Sequence, residues 1–157
     1  MNYYKKIFKK YFTVSTEEDN MIKFLKTTNL SLNSSILDVG CGYGRNIKLI
    51  KESYSHIDII IEGVDVNQHI VDENRGKGIV CYTAEEFSDI DKQYDCMIFS
   101  HIIEHFQPNE LKDFMDSYLD KLKDGGYVII ATPLLWKGFY WEFDHIKMYH
   151  PIGINMV

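Results

Sequence analysis

Cysteine is scarce in this 157-residue chain, with three residues at positions 41, 81 and 96 and no CxxC spacing among them. An odd count without paired spacing signals neither a disulfide framework nor a thiolate zinc site, and it fits a reducing cytosol. Proline is limited to three residues, and no Pro/Ser-rich stretch, internal repeat or break in composition divides the sequence, so one domain spanning 1–157 is expected. No apolar run exceeds a few residues, so neither a secretion signal nor a membrane span is expected. A cationic surplus is missing too: Lys and Arg number 17 against 23 Asp and Glu, a formal charge of −6. Such a chain repels a polyphosphate instead of releasing its counterions, which argues against duplex nucleic acid as a partner.

Apolar residues make up 45% of the chain and charged ones 25%, a globular composition with enough material for one core. Short β-branched runs fall at Ser35 to Val39, Ile57 to Val66, Gly78 to Tyr82, Tyr94 to Ser100 and Tyr127 to Thr132, and the stretches between them read as helices. That alternation predicts an α/β fold on a mostly parallel sheet with helices on both faces. The clearest helix starts near Pro108, lines up Leu111, Phe114, Met115, Tyr118, Leu119 and Leu122 on the side facing the sheet, and stops before Gly125-Gly126. Ser15-Thr16-Glu17-Glu18 has the spacing of a capping box for a helix reaching about Thr28. Ahead of it, Tyr4, Phe8, Tyr11 and Phe12 share one helical side and Lys5, Lys6, Lys9 and Lys10 the other. Residues 1–30 therefore read as a helical lid or packing segment, since one short helix with four charges holds a membrane only weakly.

Ile36-Leu37-Asp38-Val39 runs directly into Gly40-Cys41-Gly42-Tyr43-Gly44 and then into Arg45-Asn46. Three glycines at alternate positions between a strand and a helix let a nucleotide-type cofactor pass over backbone that has no Cβ, near the positive end of the helix dipole. A turn alone needs one glycine, and the other two would carry an entropic penalty for nothing. The dinucleotide pattern GxGxxG is not completed, because Arg45 stands where its last glycine belongs. Asp38, two residues before the first glycine, suits a cationic amino group and faces a pyrophosphate badly.

The pattern Asp38-x-Gly40-x-Gly42-x-Gly44 resembles the first motif of the class I S-adenosylmethionine-dependent methyltransferases. The resemblance continues through Gly63-Val64-Asp65-Val66-Asn67, Tyr94 to Phe106 and Leu122-Lys123-Asp124-Gly125-Gly126, and covers residues 35 to 133. It implies a Rossmann-like methyltransferase sheet, S-adenosylmethionine as cofactor and methyl transfer to a small-molecule acceptor. A cofactor-binding module without turnover is the alternative. The resemblance places the methionine part of the cofactor at Asp38, Gly40, Cys41, Gly42 and Gly44, and the ribose at Asp65 beside Val66. Asp65 also stands where it would cap a helix beginning near Gln68, and the two roles are compatible. Thr83 and Ala84 would approach adenine, with Thr83 at a place where the family often carries an acid, while Glu85 reads equally well as a helix-start residue. Ser100 and His101 would lie at the cofactor edge of strand four, His101 close to the transferable methyl.

His101-Ile102-Ile103-Glu104-His105 also spells HxxEH, the inverted zinc-protease signature. It follows immediately on an apolar strand, no downstream carboxylate stands out as a third ligand, and those proteases are much longer chains, so no metal is expected. Glu104-His105 match the methyltransferase family, and His105 would either take a proton or make a structural bond at a helix end. The aromatic tail from Trp136 to Pro151 resembles the substrate loop of members that act on small molecules or glycan precursors. In it Asp144 would orient His145 as a general base, with ordinary core packing as the competing reading. The family's sheet normally gains two further strands after this loop, so residues 133–157 are expected to form a partial substrate loop, with strands six and seven missing. Strand five would then expose an edge at Val128, Ile129 and Ile130 that invites the tail to fold back or a second copy of the chain to dock as a homodimer.

Overall fold

The computed structural model describes residues 16–28, 30–133 and 138–150. The basic aromatic segment ahead of Thr16, Trp136 and the residues after His150 lie outside them. Helix α1 (Glu17–Thr27) starts where Thr16 accepts from the Asp19 N–H and Asp19 accepts in return from the Thr16 N–H, both at 3.1 Å. The box thus sits one residue later than the Ser15 spacing predicts, because Asp19 rather than Glu18 reaches back to the cap.

Five strands follow: β1 (Ser35–Val39), β2 (Ile60–Asp65), β3 (Cys81–Thr83), β4 (Tyr94–Ser100) and β5 (Leu122–Ala131). They form one sheet in the order β3-β2-β1-β4-β5 with every pairing parallel, as the alternating sequence pattern requires. Helices α2 (Arg45–Ser53), α3 (Gln68–Gly76), α4 (Ala84–Ser88) and α5 (Pro108–Leu119) make the connections. Strand order reverses between β1 and β4, so the chain leaves their neighbouring carboxyl ends in opposite directions and opens a crevice there. The glycine loop leaves one of these ends and His101 the other.

The core divides by strand alternation. Ile36, Cys96 and Ile98 point to one face with Met21, Leu25, Ile47 and Ile50. Leu37, Met97 and Phe99 point to the other with Phe87 and Tyr118. Phe99 meets Phe114 and Tyr118 edge-on at 6.1 and 6.0 Å, which seats α5 on the sheet as its apolar stripe predicts. That stripe ends sooner than expected. Leu122 is the first residue of β5 and pairs with Tyr94, and Tyr127 then pairs with Cys96, so the extra residues bulge around Gly125 at φ +73°. A lone apolar residue one turn past a helix satisfies either period, and pairing with β4 decides this one. Strand β2 likewise begins at Ile60 instead of Ile57.

Beyond β5, no strand of the described residues pairs with the sheet, and Tyr127 and Val128 are more than a third exposed. Residues 138–150 dock instead on the turn after β4, where Ile146 and Lys147 donate backbone N–H bonds to the Glu104 carbonyl. No helix of the described residues is long and apolar enough to cross a membrane.

One buried polar cluster joins β2 to β4. Glu62 accepts from the Tyr94 hydroxyl and from Lys92 Nζ, each at 2.7 Å, and burial together with that carboxylate pushes the phenol pKa up. Tyr94→Phe leaves a buried carboxylate with one donor fewer and is expected to destabilise the chain by about 1.5–3 kcal/mol in urea unfolding. An unchanged midpoint would show that Lys92 alone satisfies Glu62.

Candidate active site

The three loop glycines all have left-handed backbone, at φ +65° for Gly40, +50° for Gly42 and +81° for Gly44. Their surroundings differ. A Cβ on Gly40 would lie 2.1 Å from Ile102 Cδ1 at the β4 edge, and one on Gly44 would lie 2.8 Å from Ile79 Cδ1. A Cβ on Gly42 meets nothing within 4 Å. Packing therefore explains Gly40 and Gly44, whereas Gly42 leaves open space over the loop.

Asp38 is completely buried on β1 beneath this loop. Its Oδ1 accepts from Asn46 Nδ2 at 3.3 Å, and its Oδ2 has no hydrogen-bond partner among the described residues. Burial pushes its carboxyl up to about 7 against the opposing pull of Asn46. Asp65 closes the next strand, with Oδ2 accepting from the Gly42 N–H at 3.0 Å and Oδ1 from the Asn67 N–H at 2.9 Å. The cap of α3 is Asn67, whose side chain accepts from the His69 N–H, so the capping role considered for Asp65 belongs to its neighbour. Val66 is 85% exposed at the same strand end.

The Cys41 side chain is turned into the core, 3.5 Å from Cys81 Sγ, and its thiol is held up by that neighbour and by burial. What Cys41 offers a ligand is therefore backbone. Asn74, which the motif reading missed, fixes the loop from below by donating to the Gly42 carbonyl at 2.7 Å. Its signal in the sequence is only a polar residue on the inner side of α3. Thr83 caps α4, its hydroxyl accepting from the Glu86 N–H at 3.1 Å while Glu86 accepts from the Thr83 N–H, and Ala84 and Glu85 open that helix. The Thr83 hydroxyl is thus occupied structurally, and this end of β3 presents mainly backbone.

At the end of β4, His101 takes a left-handed conformation at φ +56°, which is uncommon for a residue with a Cβ. Its Nε2 lies 2.7 Å from Glu17 Oε2 and its Nδ1 3.3 Å from Glu104 Oε1. Glu104 and, against partial burial, Glu17 hold this imidazole up to about 9. Ser100 Oγ donates to Glu17 Oε1 at 3.2 Å, and Arg45 approaches Glu17 at 3.7 Å. Glu17 is the second residue that the motifs did not reveal. It brings the start of α1 onto the rim formed by β4 and the glycine loop.

Asp144, His145 and His105 are brought together, but in a different pairing from the one expected. His105 Nδ1 is 3.0 Å from the Asp144 carbonyl and 3.4 Å from Asp144 Oδ2. His145 Nδ1 faces the Phe139 carbonyl at 2.8 Å. Asp144 lies in the turn closed by the His145 N–H on the Glu142 carbonyl, and its side chain meets His105 and not its own neighbour. The two imidazoles lie 5.2 Å apart between centroids, edge to face.

A parallel sheet with its glycine loop at the switch point, an acid one residue short of the end of β1 and another ending β2 is the arrangement of a nucleotide-cofactor domain. A family profile described as a methyltransferase domain matches residues 12–151. The ubiquinone biosynthesis O-methyltransferase of Rickettsia bellii is 32% identical over 100 residues, covering 62% of this chain and 41% of that protein. The carboxy-S-adenosyl-L-methionine synthase of Campylobacter fetus is 24% identical over 136 residues, covering 82% of this chain and 57% of that protein. The chain thus spans about half the length of these curated relatives. A solved S-adenosylmethionine-dependent methyltransferase from Archaeoglobus fulgidus shares the fold with a TM-score of 0.71 at 24% identity, over 99% of this chain and 72% of that one. The chain belongs to the class I S-adenosylmethionine-dependent methyltransferase family.

Proposed function

We propose that this chain holds S-adenosylmethionine across the β1–β4 switch point and catalyses methyl transfer to a small-molecule acceptor. The observation that carries the reading is Asp38 Oδ2, a fully buried carboxylate oxygen with no donor among the described residues, beneath three left-handed glycines. A buried acceptor of this kind is costly unless a ligand supplies the donor, and a cationic amino group is the complementary one. Asp65 keeps lone pairs beyond its two backbone bonds, enough to accept from vicinal ribose hydroxyls. Gly42 leaves the cofactor room to cross the loop, and the backbone at Thr83 and Ala84 borders the adenine end. When bound, the cofactor supplies an electrophilic methyl on a sulfonium sulfur.

The chain's own part is positioning, with Ser100 and His101 on the rim and the tail from Phe139 to Tyr149 folded against it. The acceptor-side base is His105 or His145. Each has its Nδ1 against a carbonyl oxygen, which accepts only, so Nδ1 carries the proton and Nε2 is the basic atom. The Rickettsia relative is an O-methyltransferase by name, which supports an oxygen acceptor here. One observation favours the second reading, a binding module without turnover: Glu17 occupies both Ser100 and His101. Methyl transfer to a catechol or other hydroxyl acceptor would decide for the enzyme.

Asp65→Ala is expected to weaken S-adenosylhomocysteine binding by about 1.5–3 kcal/mol in calorimetry, through loss of charge-assisted hydrogen bonds. An unchanged dissociation constant would take Asp65 out of the site.

A further inference from the structure

We propose that Glu104, His105 and His145 form a binding site for one divalent transition-metal ion beside the carboxyl end of β4. One ligand atom from each residue lies within 4.8 Å of the other two. Ligand atoms bound at about 2.0–2.2 Å around a tetrahedral ion lie roughly 3.4 Å apart, so binding draws each pair together by up to about 1.4 Å, within reach of side-chain rotation.

Two independent features point to a ligand. First, both imidazoles are set for coordination, with Nδ1 of His105 donating to the Asp144 carbonyl and Nδ1 of His145 to that of Phe139. Each Nε2 is left with its lone pair, and His105 has the Asp144 carboxylate 3.4 Å from its Nδ1 as well. Outer-sphere carbonyls and carboxylates on the far nitrogen are what orients metal-binding histidines in general. Second, Glu104 is completely buried, and its Oε1 has no hydrogen-bond partner among the described residues. Thr132 satisfies only Oε2, at 3.1 Å. His101 Nδ1 lies 3.3 Å from Oε1 as a charged neighbour without hydrogen-bond alignment. The chain has also gone to the trouble of pinning the tail here, since the Glu104 carbonyl takes the N–H groups of Ile146 and Lys147, immediately after His145.

The HxxEH reading lacked a third ligand and paired His101 with His105. In the folded chain His101 turns to Glu17 at 2.7 Å, and the third group arrives from the tail. Two imidazoles and one carboxylate favour zinc, manganese, iron or cobalt over magnesium or calcium, and three protein ligands leave positions open for an oxygen of another molecule. With both Nε2 atoms on the ion, neither imidazole remains as the base proposed above, and the ion itself would lower the pKa of an acceptor hydroxyl at the open position. That step rests on the methyl-transfer reading; binding of the ion does not.

The test uses the whole chain stripped with chelator. Zinc titrated by calorimetry is expected to bind once per chain, and cobalt to give visible d–d absorption that zinc abolishes. Magnesium in excess is expected not to displace either. His145→Ala and His105→Ala should each lower zinc affinity by about 100-fold or more, Asp144→Ala by about 10-fold or more, and His101→Ala should keep one ion per chain. In the unaltered chain, imidazole 15N spectra should show zinc shifting Nε2 of two histidines, a readout that needs no variant to fold. No stoichiometric ion, no shifted imidazole nitrogen, or undiminished affinity in His145→Ala would overturn the site. S-adenosylhomocysteine binding measured on the same samples separates the readings: cofactor bound without an ion sinks only the metal site, and an ion bound without cofactor sinks only the methyltransferase reading.

Discussion

Asp38→Asn is expected to remove measurable S-adenosylhomocysteine binding and at the same time to make the free chain more stable at pH 8. Both effects follow from one buried oxygen. With its carboxyl raised from 3.8 to about 7 by burial, the native state binds a proton that the unfolded chain has already released through that interval. Stability conferred by this group is therefore greatest near pH 4, falls as the pH rises to about 7, and is flat above, where the ionised form costs on the order of 4 kcal/mol. An asparagine cannot ionise, so the decline between pH 4 and 7 should shrink. Its amide leaves an N–H unpaired at about 1–3 kcal/mol, so a net gain of about 1–3 kcal/mol is expected at pH 8. On the proposed placement of the cofactor's amino group against Asp38, loss of the anion should weaken binding by at least about 2–3 kcal/mol. Urea unfolding across pH together with calorimetry checks both halves. A less stable variant that still binds would show that Asp38 is a structural acid.

The loop glycines should separate folding from binding. Gly42→Val places its side chain where nothing lies within 4 Å, so the free chain should lose only about 1–2 kcal/mol, from the left-handed backbone, while cofactor binding disappears. Gly40→Val carries the same backbone strain and also drives a Cβ to 2.1 Å from Ile102 Cδ1, adding about 1–3 kcal/mol of overpacking unless that side chain swings away. Thermal unfolding of the two variants should therefore rank Gly40→Val well below Gly42→Val, with binding absent in both. Undiminished binding by a folded Gly42→Val would mean that the cofactor does not cross the loop at that residue.

The parallel sheet was legible because β-branched runs alternate with helical stretches, and the strand–glycine-loop–helix step at the β1 end because strand, acid and glycines are contiguous in the chain. The limits of the reading have physical causes. Leu122 fits a helical stripe and a strand equally, and its pairing with Tyr94 comes from residues 28 positions away. Asn46 and Asn74 have ordinary local contexts, and only the folded chain sets them against Asp38 and the Gly42 carbonyl. The capping box hid in two overlapping frames, Ser15 with Glu18 and Thr16 with Asp19, which sequence spacing alone does not rank. Asp144 and His145 are neighbours in sequence, which suggested a pair; the turn from Glu142 to His145 sends them apart, and Asp144 meets His105 instead. Glu17 reaches Ser100 and His101 across more than eighty residues, a contact that no motif encodes.

The most direct measurement is calorimetric titration of S-adenosylhomocysteine into the unaltered chain at several pH values. On the proposed placement Asp38 loses its proton to face the ligand's ammonium group, so one site per chain is expected, with affinity rising about fivefold from pH 6 to 7 and by less than about twofold from 7 to 8. NAD should give no heat under the same conditions. Binding of NAD with no response to S-adenosylhomocysteine would contradict the assignment of the glycine loop and of Asp38.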